Sequence, residues 1–372
     1  VKRFIQRTWA MSAKEVLHVI RDPRSLYLAL GMPVMMILLF GYGVSFDLDH
    51  LGVAFVDLDQ TASSRALRQR FTSGIDLDDA GLIDEDYAEE ALIAGEAVAV
   101  LVIDEGFEAR LRRGDDATLQ LILDGSDNNA AIQTQAKAEN IVRVHGARLS
   151  TRVMRATPLF EARLWTRFNP DARSAVFLVP GISAYVLAIV AVLLTALTIA
   201  SEWERGSMAQ LFATPVSRLE IVLGKLIPYM VLGIIAVLLV LAVGLWVFDV
   251  PFQGSPSALA VLSVLFLAGM LGQGLFISVI TRNQMVATQT ATLSSMLPSL
   301  LLSGFIFPIQ NMPEALQVLT RAIPARYYVE GLRGVLLRGN GLEELWPQVI
   351  ALAIFAAIML ALSTVRFRRT IA

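Results

Sequence analysis

Six stretches of this chain carry no Asp, Glu, Lys, Arg or His, and each is at least 21 residues long: 25–46, 174–201, 226–248, 250–281, 283–313 and 345–365. A hydrocarbon core of about 30 Å takes around 20 apolar residues of helix. One soluble domain does not ordinarily supply six such stretches. The pattern therefore predicts an α-helical polytopic membrane protein with six transmembrane helices, at about 25–46, 174–201, 226–248, 258–281, 285–307 and 346–365. The last is the shortest in apolar content, at 349–362. The first reads as a retained signal-anchor rather than a cleaved leader, because many charges precede it and no small-residue cleavage site follows Phe46.

The segment 47–173 is made of different material. It holds 23 acidic and 14 basic residues, a net charge of −9, against +7 for the rest, and the two average to the formal −2. Strand patterns at 52–58, 97–103 and 118–123 alternate with helical patterns at 62–72, 87–94, 106–113 and 130–154, which predicts an inserted α/β domain. Its acidic balance argues against a nucleic-acid partner. The cluster Asp76, Asp78, Asp79, Asp84, Glu85 and Asp86 lacks the spacing of a calcium loop and reads as a solvated face.

Lys/Arg bias orients the chain. Lys2, Arg3, Arg7, Lys14, Arg21 and Arg24 precede the first span, and Arg366, Arg368 and Arg369 follow the last. Both termini are expected in the cytoplasm, with a 366–372 tail there and the 47–173 domain in the periplasm. Residues 1–24 contain an amphipathic helix in which Ile5, Trp9, Ala13, Val16 and Ile20 form a stripe, ended by Asp22-Pro23. That stripe suits the lipid interface or packing on neighbouring spans.

The inside loop 202–225 reads EWERGSMAQLFATPVSRLEIVLGK. Ser207-x-x-Gln210 and Ser217-x-x-Glu220 are capping-box patterns, and Thr214-Pro215 separates them. A short helix tipped by Leu211 and Phe212 between two spans suits docking in a partner's groove, or packing against its own span ends. Beyond the fifth span, helices at 318–323 and 327–337, interrupted by Pro324, suit re-entrant packing within 308–340.

The chain has no cysteine, no phosphate loop and no nucleophile elbow. His18, His50 and His145 share no ligand spacing. Catalytic, cofactor and metal sites are therefore all absent from the reading. An ion-driven transporter keeps ionisable groups in its spans, and these windows have none. The spans carry hydroxyl and amide groups instead, among them Gln273, Thr288, Thr292, Ser295, Ser299 and Ser303. They would line a translocation path or join tightly packed helices.

In this order, the pieces resemble the type-2 ATP-binding-cassette permeases, in the bacterial multidrug-export branch with a large outside domain between the first two spans. The resemblance rests on FNPDARSAVFLVPGISAYVL at 168–187, Glu202-Trp203-Glu204-Arg205-Gly206, Leu211-x-x-Thr214-Pro215 and Gly224-Lys225-Leu226-Ile227-Pro228-Tyr229. Leu302-Ser303-Gly304-Phe305-x-Phe307-Pro308, Met312-Pro313 and Pro324-x-Arg326-Tyr327 extend it. It implies that 4–20 is an interfacial connector helix and 202–214 a coupling helix seated on a separate cytoplasmic ATPase. Glu202, Glu204 and Arg205 would fix that contact, Gly206 would permit the turn, and Leu211, Phe212, Thr214 and Pro215 complete the segment. Trp203 stands where many relatives carry a basic or other polar residue. The resemblance further implies that ATP binds only the partner ATPase. A second permease chain, identical or different, would complete the path in the inner membrane, and a periplasmic adaptor would meet the 47–173 domain. The exported compound would be hydrophobic and drug-like. A membrane-anchored ligand sensor and an ATPase-independent channel or scaffold are the rival readings.

Overall fold

The computed structural model describes residues 2–43, 51–74, 77–125, 128–154, 174–208 and 215–367. It divides into two compact units. One joins Val1–Ser45 to Thr166–Ala372, and the other is Phe46–Trp165.

The first unit begins with α1 (Lys2–Arg21), which ends at Asp22 as Pro23 opens the short α2 (Pro23–Leu26). A π-helical turn, Tyr27–Gly31, leads into α3 (Met32–Gly43). The amphipathic stripe of α1 forms the expected helix, yet its apolar face is not the packed one. Ile5, Trp9, Val16 and Ile20 are exposed, while Thr8, Met11, Ser12, Glu15 and Val19 are buried.

The second unit has four strands, β1 (Leu51–Asp57), β2 (Leu77–Leu82), β3 (Ala99–Ile103) and β4 (Gln120–Leu123), in the order β2-β1-β3-β4. β1 runs parallel to β2 and β3, and β4 is antiparallel to β3. The helices are α4 (Ala62–Phe71), α5 (Ala88–Ile93), α6 (Phe107–Arg113) and α7 (Asn128–Met154). The period of two on β1 and β3 divides two cores. Val53, Phe55, Leu101 and Ile103 pack with Leu67 and Phe71 of α4, Phe107 of α6 and Ala138 of α7. Ala54, Val56, Val100 and Val102 face Ala88 and Leu92 of α5. Both faces are covered, so the continuous apolar run of β3 is fully buried. β2 was not expected from the sequence. It is an edge strand (LDDAGL) whose Asp78, Asp79 and Ala80 are exposed, and the charges blunt an edge that would otherwise pair with another chain. Asp79 also receives Arg68 of α4 at 2.7 Å.

The chain returns to the first unit with α8 (Ser174–Glu204), then α9 (Arg218–Trp246), α10 (Pro256–Thr281), α11 (Gln284–Leu301), α12 (Glu314–Thr320), α13 (Pro324–Arg333) and α14 (Trp346–Arg366). Among the described residues, α8, α9, α10 and α14 are long and apolar enough to cross a membrane, and Tyr27–Gly43 is a shorter apolar helix. α11 fills the fifth charge-free window with 18 residues, diluted by amides and hydroxyls. α8 is the most enclosed of the long helices. It packs on α3, α9, α10, α11 and α13, while α14 lies on α10.

Close approach is built from small residues. A Cβ on Gly274 of α10 would stand 2.2 Å from the Val192 carbonyl oxygen of α8, and one on Gly269 would meet the Phe355 ring of α14 at 2.6 Å. Pro324 corrects one expectation. It does not interrupt a helix but starts α13 from the first turn, where its missing N–H costs nothing. The preceding short helix accordingly sits earlier, at Glu314–Thr320.

Candidate functional site: a buried ionic junction and a polar cavity

Ser217 begins α9 with a full capping box. Its hydroxyl accepts from the Glu220 N–H at 3.3 Å, and Glu220 accepts from the Ser217 N–H at 2.5 Å. Two turns on, Gly224 lets α1 approach closely: a Cβ there would lie 2.7 Å from Met11, and the Ser12 hydroxyl donates to the Gly224 carbonyl at 3.0 Å. That approach brings the polar face of α1 onto Lys225.

Lys225 has a side chain only 1% exposed. Its Nζ lies 3.4 Å from Glu15 of α1 and 3.1 Å from Glu202 of α8. Glu15 also accepts from the Tyr229 hydroxyl at 3.3 Å, and Lys14 reaches Glu202 at 3.4 Å. An isolated ammonium in so dry a place costs several kcal/mol, so the carboxylates are a condition of its charge. Two carboxylates and two ammonium groups thus close a neutral set that joins α1, α8 and α9. Arg7 of α1 donates to the Pro215 carbonyl and lies 4.0 Å from Glu220. Around this set Met11, Ile199, Met208, Ile221, Leu275 and Phe367 form an apolar cluster of their own.

The candidate coupling residues divide here. Glu202 turns into the junction. Glu204 accepts from the Gln284 N–H at 2.8 Å and from its side-chain amide, which ties the end of α8 to the start of α11. Trp203 has Arg282 over its ring at 4.3 Å, a cation–π contact supplied by the turn between α10 and α11. Arg205 is exposed, and Gly206 has φ +72°, the left-handed conformation that suits glycine. Pro215 lies at the start of the described chain again, whereas Leu211, Phe212 and Thr214 fall outside the described residues, as does Gln210 of the first capping-box pattern. The Ser207 hydroxyl donates to the Glu202 carbonyl at 3.2 Å.

The second candidate set lies along α11. Thr288 donates to the Gln284 carbonyl, Thr292 to that of Thr288 and Ser295 to that of Ala291, all between 2.7 and 2.8 Å. Each hydroxyl is thereby satisfied within its own helix. Ala287, Ala291, Ser295 and Ser299 form the buried seam of α11. Ser303, beyond the helix, is buried and accepts from the Phe305 N–H at 3.3 Å. Only Gln273 reaches across, donating to Ser294 at 3.2 Å.

A cavity of about 280 Å³ opens between α10, α11 and α14, with Gln273, Thr290, Ser294 and Ser299 as its polar groups. Gln273 and Ser299 were candidates for that role. Thr290 and Ser294, one turn apart on α11, belong to the same hydroxyl set but were not singled out. Thr288, Thr292, Ser295 and Ser303 do not line it. Among the described residues no group of His, Asp and Glu could hold a metal ion.

Comparison with known proteins shows the family. The family model described as "ABC-2 family transporter protein" matches residues 24–365. The chain is 35% identical over 370 residues to the probable multidrug ABC transporter permease YbhS of Escherichia coli (strain K12), covering 98% of this chain and 97% of that one. It is 27% identical over 367 residues to the probable multidrug ABC transporter permease YbhR of the same strain, covering 98% and 99%. The inner membrane transport permease YhhJ of that strain is 26% identical over 327 residues, covering 86% and 85%. The chain belongs to the ABC-2 family of transporter proteins, as a helical membrane permease that carries no cofactor and leaves ATP hydrolysis to a separate subunit.

Proposed function

We propose that the chain is one permease half of an exporter in the bacterial inner membrane, and that it moves hydrophobic, drug-like compounds outward. Its likeness to two permeases named as probable multidrug transporters supports the substrate class. Six spans follow from the charge-free windows, and both termini in the cytoplasm from the Lys/Arg bias. In that topology the apolar helix Tyr27–Gly43 and α11 join the four long helices as spans, α12 and α13 are the outer re-entrant helices, and the 47–173 domain stands in the periplasm within reach of an adaptor. A second permease chain, identical or related, completes the path.

The observation that carries this reading is the Lys225 junction. The coupling segment leaves α8 at Glu204 and rejoins α9 at Arg218, and Lys225 grips Glu202 just before the first point and stands two turns past the second. A push on the segment by an ATPase is delivered to α1, α8 and α9 together. In this arrangement Glu202 and Glu204 position the segment, and Arg205 with Leu211, Phe212, Thr214 and Pro215 meets the ATPase. The cavity at Gln273, Thr290, Ser294 and Ser299 is the polar part of the path. The test is to substitute Glu204→Ala and Leu211→Ala and to follow ATPase co-purification and stimulated hydrolysis. Loss in the Leu211 variant and weakened stimulation in the Glu204 variant are expected; unchanged binding and turnover in both would sink the docking reading.

A further inference from the structure

Phe177 in the first turn of α8 and Glu204 in its last lie about 40 Å apart along the helix, so the groups around Phe177 mark the end of the bundle opposite the junction. There the chain that follows α11 shapes two adjoining recesses. One, of about 380 Å³, is lined by Arg326, Arg333 and Arg338, with Glu330 as its one carboxylate. The other, of about 500 Å³, is apolar, with walls that include Leu297, Leu301, Phe307, Met312 and Leu316. Pro308 belongs to both walls.

The arginines are held but not neutralised. Arg333 is half-buried over the Phe177 ring at 4.1 Å, and its terminal nitrogens donate to the carbonyls of Gly304 at 3.2 Å and Phe305 at 3.4 Å. Its Nε is enclosed without a partner. Arg326 donates to the Thr320 hydroxyl and to the Gln317 carbonyl. Among the described residues none of the three forms an ion pair, so with Glu330 the recess carries a net charge of +2. Carbonyls and hydroxyls satisfy N–H groups but do not cancel charge, and charge beside apolar surface calls for a counter-ion. The missing complement is an anion that presents several acceptors, which guanidinium groups bind in a fork.

The neighbouring recess calls for hydrocarbon. Leu297, Leu301, Phe307 and Leu316 are exposed on a chain built to span a membrane, so that recess opens to the medium in which lipid tails are the abundant solute. A free anion would leave it unfilled, and a neutral lipid would leave the arginines uncompensated. The geometry points to an anionic amphiphile seated across Pro308, its phosphate on Arg326, Arg333 and Arg338 and its tail among Leu297, Leu301 and Leu316. The occupant is an anionic phospholipid of the surrounding bilayer. This holds whichever compound is exported.

The test uses the full chain, purified and delipidated in neutral detergent. Phosphatidylglycerol and phosphatidylcholine with matched tails compete for it, and retained lipid is read by native mass spectrometry. The wild type keeps phosphatidylglycerol in preference. Arg338→Gln, at an exposed position that leaves packing intact, and Arg326→Gln each cut the preference about fivefold. Dodecyl phosphate displaces the lipid, and inorganic phosphate at the same concentration does not. Leu316→Asn weakens dodecyl phosphate but not butyl phosphate. Equal retention of the two lipids, an unchanged preference in both arginine variants, or displacement by inorganic phosphate as effective as by dodecyl phosphate would overturn the inference. Release of phosphatidylglycerol only during ATP turnover of the assembled transporter would assign the recess to cargo and overturn the resident-lipid reading.

Discussion

The ionic junction and the hydroxyl stripe of α11 are both polar sets in an apolar frame, and they are built by opposite rules. Lys225 finds its carboxylates on other helices, Glu15 standing 210 positions away in sequence. Thr288, Thr292 and Ser295 find their acceptors four residues back on their own helix. A buried charge has no local solution, because its own helix offers only carbonyls already in use, so it binds separate elements into one body. A hydroxyl does have a local solution. These three hydroxyls keep the helix polar without fixing it to a neighbour.

The sharpest way to break this contrast is Lys225→Met. It strands Glu15 in a closed site, leaves Glu202 with Lys14 alone, and should cost about 3–5 kcal/mol. The expected result is a lower unfolding temperature of the purified chain and exposure of α1 to protease. Gly274→Val tests the seam between the two sets. The added Cβ would meet the Val192 carbonyl oxygen at 2.2 Å and the Thr195 hydroxyl at 2.3 Å, and that hydroxyl now donates to the Leu271 carbonyl at 2.8 Å. Forcing α8 and α10 apart should cost about 1–3 kcal/mol, seen as a smaller shift in the same thermal scan.

Asp59 in the second unit sharpens the contrast from another side, as a carboxylate held by distant backbone N–H groups and a nearby hydroxyl instead of a cation. It accepts from the N–H groups of Gly106 at 2.8 Å and Glu108 at 3.0 Å and from the Thr61 hydroxyl at 2.6 Å. Desolvation, the largest single influence, pushes its pKa up, but the hydroxyl and backbone donors together outweigh this and hold it below the usual 3.8. A depressed folded pKa gives stability that is present above the unfolded value and lost as pH falls through the folded one. Hydrogen exchange of the Gly106 and Glu108 amides in the full chain should therefore accelerate as pH drops below about 4, beyond the intrinsic pH dependence. Asp59→Asn should flatten that excess, and Asp59→Ala should cost about 1 kcal/mol at neutral pH. The smallest effects belong to α11. Gln273→Leu removes its bond to Ser294 and should cost about 0.6 kcal/mol, whereas Thr292→Val should fall within about 0.5 kcal/mol of the wild type in the thermal scan.

What could be read from the sequence follows the same division between local and distant causes. The strands β1, β3 and β4 and the helices around them were legible because short apolar runs and helical periodicity act over a few residues. β2 was not, because LDDAGL has no apolar run; it is a strand only because β1 presents an unpaired edge beside it. In α1 the apolar stripe announced a helix, but the packed face is the one with Thr8, Ser12 and Glu15. The partner that makes a buried glutamate tolerable, Lys225, lies on the far side of the insert in sequence. Glu202 and Glu204 were marked as important by family likeness, and their inward contacts with Lys225 and Gln284 needed three dimensions. Along α11 the hydroxyls were visible, and which of them face a cavity was not, since that depends on α10 and α14.

The central claim is that the junction passes the motion of the coupling segment into the spans. It is tested most directly by the triple variant Glu15→Gln, Lys225→Met, Glu202→Gln in the assembled transporter, which removes the ionic tie without leaving a buried charge unpaired. The account predicts that the ATPase still co-purifies and hydrolyses ATP while efflux of a fluorescent hydrophobic substrate falls to background. Efflux per ATP equal to that of the wild type would contradict it.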